Sequence, residues 1–228
     1  MSENKRFPLI LAVYYVLLFT VWAIVELFVR APIESAVSST TLDIITECGF
    51  KTVLWFIPAF LLIRRYSGRM LVPHDEMFRL RKNWGIFAAV FAFFTVYILL
   101  GAYRLTGHIA LAEDFSAVRI FTFLFTGFCE EIVFRGWLFN GSARLSGQGN
   151  PDSFPWAAAI INALMFLAVH FPIWLHNGVF AANMLSGGFV SVTMLSILFS
   201  WTFFRTRSLI IPALLHWWWD LLLTSIDR

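Results

Sequence analysis

The sequence has 228 residues, of which 59% are hydrophobic, 18% are aromatic and only 14% are charged. Soluble domains carry about 25% charged residues, so this composition excludes an ordinary soluble protein and indicates an integral membrane protein. The net charge of +3 is too small to indicate nucleic-acid binding, and two cysteines, Cys48 and Cys129, are too few for a disulfide framework or a four-cysteine metal site. We expect a single membrane domain over residues 1–228.

Seven apolar stretches follow one another along the chain, each close to the roughly 20 residues that an α-helix needs to cross a bilayer. The sequence therefore predicts an all-α, polytopic bundle of about seven spans, within a range of six to eight. The second span is the least certain, because Asp43, Glu47 and Lys51 fall in or beside its first half. A shorter span after an amphipathic interfacial turn is the alternative there. The predicted spans are residues 8–29, 44–63, 84–103, 116–139, 156–175, 187–204 and 208–226.

Basic residues are distributed unevenly between the two ends of this bundle. Eleven fall on the side of the N-terminus and four on the other side, and short cytoplasmic loops collect Lys and Arg. We therefore expect an integral protein of the bacterial cytoplasmic membrane, in contact with lipid, with its N-terminus in the cytoplasm. The eleven are Lys5, Arg6, Arg64, Arg65, Arg69, Arg79, Arg81, Lys82, Arg144, Arg205 and Arg207, and the four are Arg30, Arg104, Arg119 and Arg228.

Ionisable side chains stand at membrane depth in three of the predicted spans, where each costs about 2.5–3.5 kcal/mol unless it is paired or hydrated. Such residues are candidates for a functional site, although a buried ion-pair network or a satisfied core histidine would also explain them. Regular helices would place Glu130 and His216 at similar depth, with His170 about two turns deeper. The candidates are Glu130, Glu131 and Arg135 in the fourth span, His170 in the fifth, and His216 and Asp220 in the seventh.

Helical geometry separates the two adjacent glutamates. Glu130 and Glu131 diverge by about 100° and face different directions, whereas Glu131 and Arg135 share a face at i,i+4 and can form an ion pair. Glu130 is left without a local cation, so we expect it to act as the general base. His216 and Asp220 are also four residues apart and can converge on one point in the bundle.

Three motifs lie on separate predicted helices in a fixed order. They are "EEIVFR" at 130–135, which fits Glu-Glu-x-x-x-Arg, "FLAVH" at 166–170, which fits Phe-x-x-x-His, and "HWWWD" at 216–220, which fits His-x-x-x-Asn/Asp. In this combination the chain resembles the CAAX prenyl protease and bacteriocin-processing (Abi) family of intramembrane endopeptidases. The resemblance covers a motif-bearing core of about residues 116–226, and the first three spans carry no motif of the family.

The resemblance implies an intramembrane endopeptidase that hydrolyses a peptide bond in a membrane-anchored protein or propeptide, for example a prenylated CAAX-type protein. It implies that Glu130 and His170 activate a water molecule. It also implies that His216 and Asp220 stabilise the tetrahedral oxyanion, while the charge pair of the first motif supports the site. A site reached from the cytoplasm but set below the membrane surface would suit such an anchored substrate.

Position 220 departs from the better-described prenyl-protein proteases of the family, which have Asn there. Asp220 donates a hydrogen bond only when protonated; alternatively it orients His216, or it helps to bind a metal. A zinc ion held by Glu130, His170, His216 and Asp220 is therefore an alternative, although the His-Glu-x-x-His pattern is absent. We expect water activation by the glutamate, without a resident cofactor.

Two other functions fit a polar site inside a membrane bundle. A non-catalytic relative of the family would act as an immunity or assembly factor through its transmembrane surface. A transporter would use Glu and His residues to relay protons, but it would be expected to show paired, interrupted helices related by internal symmetry. The sequence shows no such pairing, so the transporter is the weaker of the two.

Overall fold

A computed structural model describes residues 3–80, 83–113, 115–146 and 152–227, with side chains described from residue 6 onward. The predicted all-α fold is confirmed, since the described ranges contain no β structure except an isolated bridge between Leu111 and Ile226. The α-helices are α1 (Glu3–Ile24), α2 (Arg30–Glu34), α3 (Ser39–Asp43), α4 (Ile57–Arg65), α5 (His74–Met77), α6 (Trp84–Thr106), α7 (Val118–Glu131), α8 (Asn140–Ser146), α9 (Trp156–Ala168), α10 (Phe171–His176), α11 (Phe180–Leu185), α12 (Gly188–Thr206) and α13 (Ile210–Ser225).

Several of these helices are joined into longer runs by π-helical segments. One segment connects α1 to α2, two connect α3 to α4 on either side of Lys51, and one connects α7 to α8. Such wide turns inside α-helices are often found at functional sites. The segments are Val25–Val29, Ile44–Phe50, Thr52–Phe56 and Ile132–Phe139.

Five helical runs in the described part of the chain are long and apolar enough to cross a membrane. They confirm an integral membrane protein and include the second predicted span. The two remaining predicted spans differ for identifiable reasons: the run from 118 to 146 carries several ionisable residues, and α13 has only 16 residues. The total of seven therefore stays a prediction. The five runs are Arg6–Glu34, Ser39–Arg65, Trp84–Thr106, Trp156–His176 and Gly188–Thr206.

Two helical runs differ from regular helices over the predicted spans in ways that affect the site. In the fourth, α8 continues the helix past residue 139 to Ser146. The fifth predicted span is confirmed as one apolar run, Trp156–His176, but within it α9 ends at Ala168, and α10 begins at Phe171 with Pro172 in its first turn. Proline is tolerated in a first turn because the N–H it lacks has no helical partner there. His170 therefore lies at a helix junction.

The motif-bearing helices form the centre of the bundle. Helix α13 packs closely against α7 and also against α6 and α12, while α12 packs against α9. The contact between α7 and α13 is backbone to backbone: a Cβ on Gly127 would lie 3.1 Å from the nitrogen of Trp217 and 3.2 Å from the carbonyl oxygen of Ala213. Small residues permit such close approach of membrane helices, and this one brings Glu130 next to His216.

Two backbone hydrogen bonds fix the ends of α13 relative to the loops. Leu209 N donates to Met77 O at 2.7 Å, and Ala112 N donates to Ser225 O at 2.9 Å. We call the side with the 66–80 loop and the start of α13 the basic end, and the side with residues 107–113 and the end of α13 the far end. The Lys5 side chain and residues Arg81, Lys82 and Arg228, which entered the predicted topology, lie outside the described residues.

Candidate active site

The carboxylate of Glu130 is buried and paired with a lysine from another helix. Lys51 Nζ lies 2.6 Å from Glu130 Oε1 and 2.5 Å from Glu47 Oε2. Thr126 Oγ1, one turn before Glu130, donates to the same oxygen of Glu47 at 2.8 Å. The expectation that Glu130 has no local cation is therefore wrong, because helical spacing along one segment gives no information about a neighbouring helix.

The pairing of Lys51 with Glu47 and Glu130 accounts for two of the charged residues in the second predicted span. The lysine is buried, with its ammonium 5.7 Å from the ring centroid of Trp22 and 5.4 Å from that of Trp55. Glu47 and Lys51 turn toward the bundle interior instead of forming an interfacial turn. Their i,i+4 spacing in an apolar helix is the same signal that singled out Glu131 and Arg135, but no motif of the family drew attention to it.

We predict that Lys51→Met lowers the free energy of unfolding by about 1–3 kcal/mol, because it leaves two carboxylates beside each other without their cation. The loss should be smaller in a Glu130→Gln background, where one of the carboxylates is already neutral, giving a coupling of about 0.5–3 kcal/mol in a double-mutant cycle. Thermal unfolding of purified variants in detergent measures both quantities. Arg205→Met, at an exposed arginine, is the control; equal losses in both backgrounds would contradict the pairing.

Glu131 connects the first motif to the third. Its Oε1 accepts from Arg135 Nη1 at 2.9 Å, as the spacing predicts, and lies 2.9 Å from His216 Nδ1. Both the glutamate and the arginine are fully buried. Arg135 Nη2 also donates to Ser196 Oγ at 2.8 Å, and its guanidinium lies 4.7 Å from the ring centroid of Phe166. Glu131 therefore orients His216 directly, a contact that helical spacing alone does not predict.

The second nitrogen of His216 faces two further carboxylates. Nε2 lies 3.4 Å from Asp220 Oδ2 and 3.7 Å from Glu130 Oε2. The oxygen of Glu130 that faces His216 is thus not the one bound by Lys51. Because a carboxylate paired with arginine only accepts hydrogen bonds, Glu131 requires a proton on His216 Nδ1. A doubly protonated ring would also donate from Nε2 toward the place where Glu130 and Asp220 meet.

His170 and His216 contact the same aromatic ring in spite of their different predicted depths. The centroid of the Phe166 ring lies 4.9 Å from that of His170 and 5.9 Å from that of His216. His170 Nδ1 donates to the carbonyl of Phe166 at 2.7 Å, which leaves Nε2 free to accept. The predicted depth assumed one regular helix across the fifth span, whereas α9 ends two residues before His170 and α10 begins at the residue after it.

His170, His216 and Asp220 line a cavity of about 820 Å³ whose other walls are largely apolar. Aromatic side chains contribute much of the surface, among them Phe199, whose ring is stacked on His216 at 5.0 Å, and Trp219. Glu130 is not one of the lining residues, but its Oε2 lies 3.7 Å from Nε2 of His216, which is. The structure thus brings the predicted residues to one place, and their roles in a reaction stay predictions.

The side chains that could act as metal ligands give little support to a metal site. Among the described residues there is no group of three or more His, Cys, Asp or Glu side chains placed to hold one ion. One oxygen of Glu130 is already bound by an ammonium, and His216 Nδ1 and His170 Nδ1 donate to Glu131 and Phe166. The zinc alternative therefore finds no ready ligand set in these side chains.

The cavity lies at the far end of the bundle. On α6 its lining residues fall between 97 and 105, close to the end of that helix, whereas the basic 66–80 loop precedes the start of α6. The cavity therefore lies nearer the far end than the basic end. An N-terminus in the cytoplasm and a site entered from the cytoplasm both stay predictions.

Comparison with known families supports the motif assignment. Residues 112–222 match the family model described as "Type II CAAX prenyl endopeptidase Rce1-like". Comparisons with curated proteins and with solved structures gave no match. The matched region contains all six predicted site residues, whereas Lys51 and Glu47 lie outside it. This match, over just under half of the chain, confirms the resemblance of the motif-bearing core to the CAAX prenyl endopeptidase family.

Proposed function

We propose that the chain hydrolyses a peptide bond in a membrane-associated polypeptide, using a water molecule activated by Glu130. The match of residues 112–222 to the family model supports a protease with a membrane-associated protein substrate. The single observation that carries the mechanism is the position of His216 Nε2, in the cavity wall and within 3.7 Å of both Glu130 Oε2 and Asp220 Oδ2. A base, a donor and a space for substrate therefore adjoin one another.

In this mechanism Glu130 Oε2 takes a proton from water, while Lys51 holds the other oxygen of the carboxylate. His170 accepts a hydrogen bond from the same water through Nε2 and orients it. The water oxygen bonds to the peptide carbonyl carbon, and the resulting oxyanion accepts a hydrogen bond from His216 Nε2. The C–N bond then breaks, and the proton held by Glu130 passes to the departing amine.

Asp220 has a supporting part in the same scheme. Its carboxylate is partly accessible, with 23% of the side chain exposed, and it lies 3.4 Å from His216 Nε2. We propose that it keeps the ring of His216 positioned and charged as the oxyanion forms. This is the second of the three explanations for an aspartate at this position, and it needs neither a protonated Asp220 nor a metal.

The test uses cells that produce the full chain, because the substrate is not identified. Membrane proteins from cells with the wild-type chain are compared, by mass spectrometry of protein N-termini, with those from cells with His216→Ala. New N-termini that appear only with the wild-type chain, and that form again when purified protein is mixed with the corresponding peptides, are the expected result. Formation of product in the presence of a metal chelator distinguishes water activation by Glu130 from the zinc alternative.

Other outcomes favour the rival functions. Loss of cleavage with the chelator and recovery with added zinc would replace the proposed mechanism by a zinc-dependent one. Identical sets of N-termini for wild type and His216→Ala would favour the non-catalytic immunity or assembly factor. That factor should also keep its phenotype when Glu130 is replaced.

A further inference from the structure

The cavity beside His216 has polar side chains at both of its ends and a largely apolar wall between them. One end holds the candidate catalytic residues described above. Aromatic and aliphatic side chains form most of the wall beyond them. A second group of polar side chains follows, which the mechanism does not use. It consists of Arg104 on α6, Asn183 on α11 and Ser191 on α12.

The packing of α6 against α13 gives the distance from Arg104 to the candidate catalytic residues. Both helices run toward the far end. Trp218 Nε1 donates to Thr95 Oγ1 at 2.9 Å, so the two helices are level at these residues. His216 precedes Trp218 by two positions, and Arg104 follows Thr95 by nine. At about 1.5 Å per residue, the backbone of Arg104 therefore lies roughly 16 Å beyond that of His216.

Helix α12 gives an independent estimate of the same distance. It runs in the opposite direction, since its end contacts the residue before α6. The ring of Phe199 is stacked on His216 at 5.0 Å, and Ser191 precedes Phe199 by eight positions, which is about 12 Å along the helix. Asn183 lies against the first residue of α12, because a Cβ on Gly188 would clash with the Asn183 amide. Two helices thus place the second polar group about 12–16 Å from His216.

The second polar group is suited to an anion. Arg104 has a fixed positive charge and several N–H donors, and it can bind a carboxylate through two of them. Ser191 adds a hydroxyl donor, and Asn183 adds an amide that has one N–H left after donating to Val179 O at 3.2 Å. Among the described lining residues the one carboxylate is Asp220, at the opposite end of the cavity. A negatively charged group is therefore attracted to Arg104 and repelled from the candidate catalytic end.

We propose that Arg104, Asn183 and Ser191 form a carboxylate-binding subsite, and that the substrate carries a carboxylate there, either at its chain terminus or on an acidic side chain. An extended peptide covers about 3.3–3.6 Å per residue. The carboxylate is therefore about four residues from the cleaved bond. The position relative to the cleaved bond rests on the proposed peptidase function, whereas the subsite itself rests only on the cavity wall and the helix packing.

Equilibrium binding to the purified full chain in detergent tests the subsite without any cleavage. Three peptides serve as probes: N-acetyl-trileucine with a free C-terminal carboxylate, the same tripeptide as a C-terminal amide, and N-acetyl-Leu-Leu-Glu amide, whose carboxylate is on a side chain. Isothermal titration calorimetry gives the Kd of each peptide. Arg104→Gln removes the positive charge, Arg104→Lys keeps it, and Arg205→Gln changes an exposed arginine at the basic end as the control. Gel filtration checks that each variant is folded.

We expect the wild-type chain to bind at least one of the two carboxylate peptides about tenfold or more tightly than the trileucine amide, because hydrogen bonds to charged groups contribute most to affinity. Arg104→Gln should reduce this preference to less than about threefold, whereas Arg104→Lys should restore much of it and Arg205→Gln should leave it unchanged. The peptide that binds more tightly identifies the source of the carboxylate as the terminus or the side chain.

Three results would each overturn the subsite: equal affinities of the wild-type chain for all three peptides, a preference that survives in Arg104→Gln, or no binding of either carboxylate peptide. A carboxylate preference in a protein that cleaves no peptide would count against the proposed function alone. Cleavage without any carboxylate preference would count against this inference alone.

Discussion

Glu130→Gln lowers the rate of peptide cleavage by about 10²–10⁴-fold, the usual contribution of a positioned general base. The amide has nearly the same shape as the carboxylate and still accepts a hydrogen bond from Lys51, but it takes no proton from water. Lys51 keeps its second anionic partner, Glu47. The variant should therefore fold and bind substrate while losing turnover. Initial rates on a peptide identified by N-terminal mass spectrometry measure the effect.

Glu26→Gln provides the matched control. Glu26 is also a buried carboxylate, 2% exposed, and it pairs with Arg30 at 3.1 Å on the first helical run. If the loss of a buried charge were the only cause of a lower rate, Glu26→Gln and Glu130→Gln would lower the cleavage rate by similar factors. We expect Glu26→Gln to cleave within about threefold of wild type, since no proton transfer passes through it. A Glu130→Gln protein that cleaves as fast as this control would remove Glu130 from the mechanism.

Arg135→Met should give the largest loss of stability, about 3–5 kcal/mol, because removing one partner of a buried ion pair leaves the other charge uncompensated. Arg135 neutralises Glu131, donates to Ser196 and lies over the rings of Phe166 and Phe199. It therefore connects α12 and α9 to the first motif. For a chain of this size, we expect a fall in melting temperature of about 6–20 °C, measured by thermal unfolding in detergent.

A second variant separates lost charge balance from lost packing. In Glu131→Gln/Arg135→Met both charges are absent, so much of the stability should return although His216 loses its charged partner. Arg144→Met changes an exposed arginine on the same helical run and should stay within about 0.5 kcal/mol of wild type. An Arg135→Met protein as stable as Arg144→Met would show that the guanidinium does not hold the site together.

The candidate site was predictable to the extent that its contacts are local. The pairs Glu131–Arg135 and His216–Asp220 are four residues apart on regular helices, and the structure contains both contacts. Lys51 was not predictable as a partner of Glu130, because the two residues are 79 positions apart and meet only when two runs pack together. The sequence showed a charge in an apolar segment, but it contained no information on which way that charge would turn.

Irregular backbone set a second limit on what could be predicted from the sequence. Depth estimates assume about 1.5 Å per residue along one regular helix, whereas α9 ends at Ala168 and α10 begins at Phe171. In the structure His170 and His216 both contact the ring of Phe166. Beyond the fourth predicted span, α8 continues the helix to Ser146. Contacts predicted from a spacing of four residues are therefore more reliable here than depths calculated along a whole span.

The sequence by itself determined that this protein folds in a membrane and which residue types form its polar interior. Its apolar composition requires a membrane bundle, and the ionisable groups of its three motifs specify the polar interior and the family. Only the tertiary structure decided which of these groups share a cavity, which cation faces Glu130 and toward which end of the bundle the cavity lies. The physical reason is that membrane insertion depends on the summed hydrophobicity of each segment. The site depends instead on distances between segments, which close contacts such as that at Gly127 fix during packing.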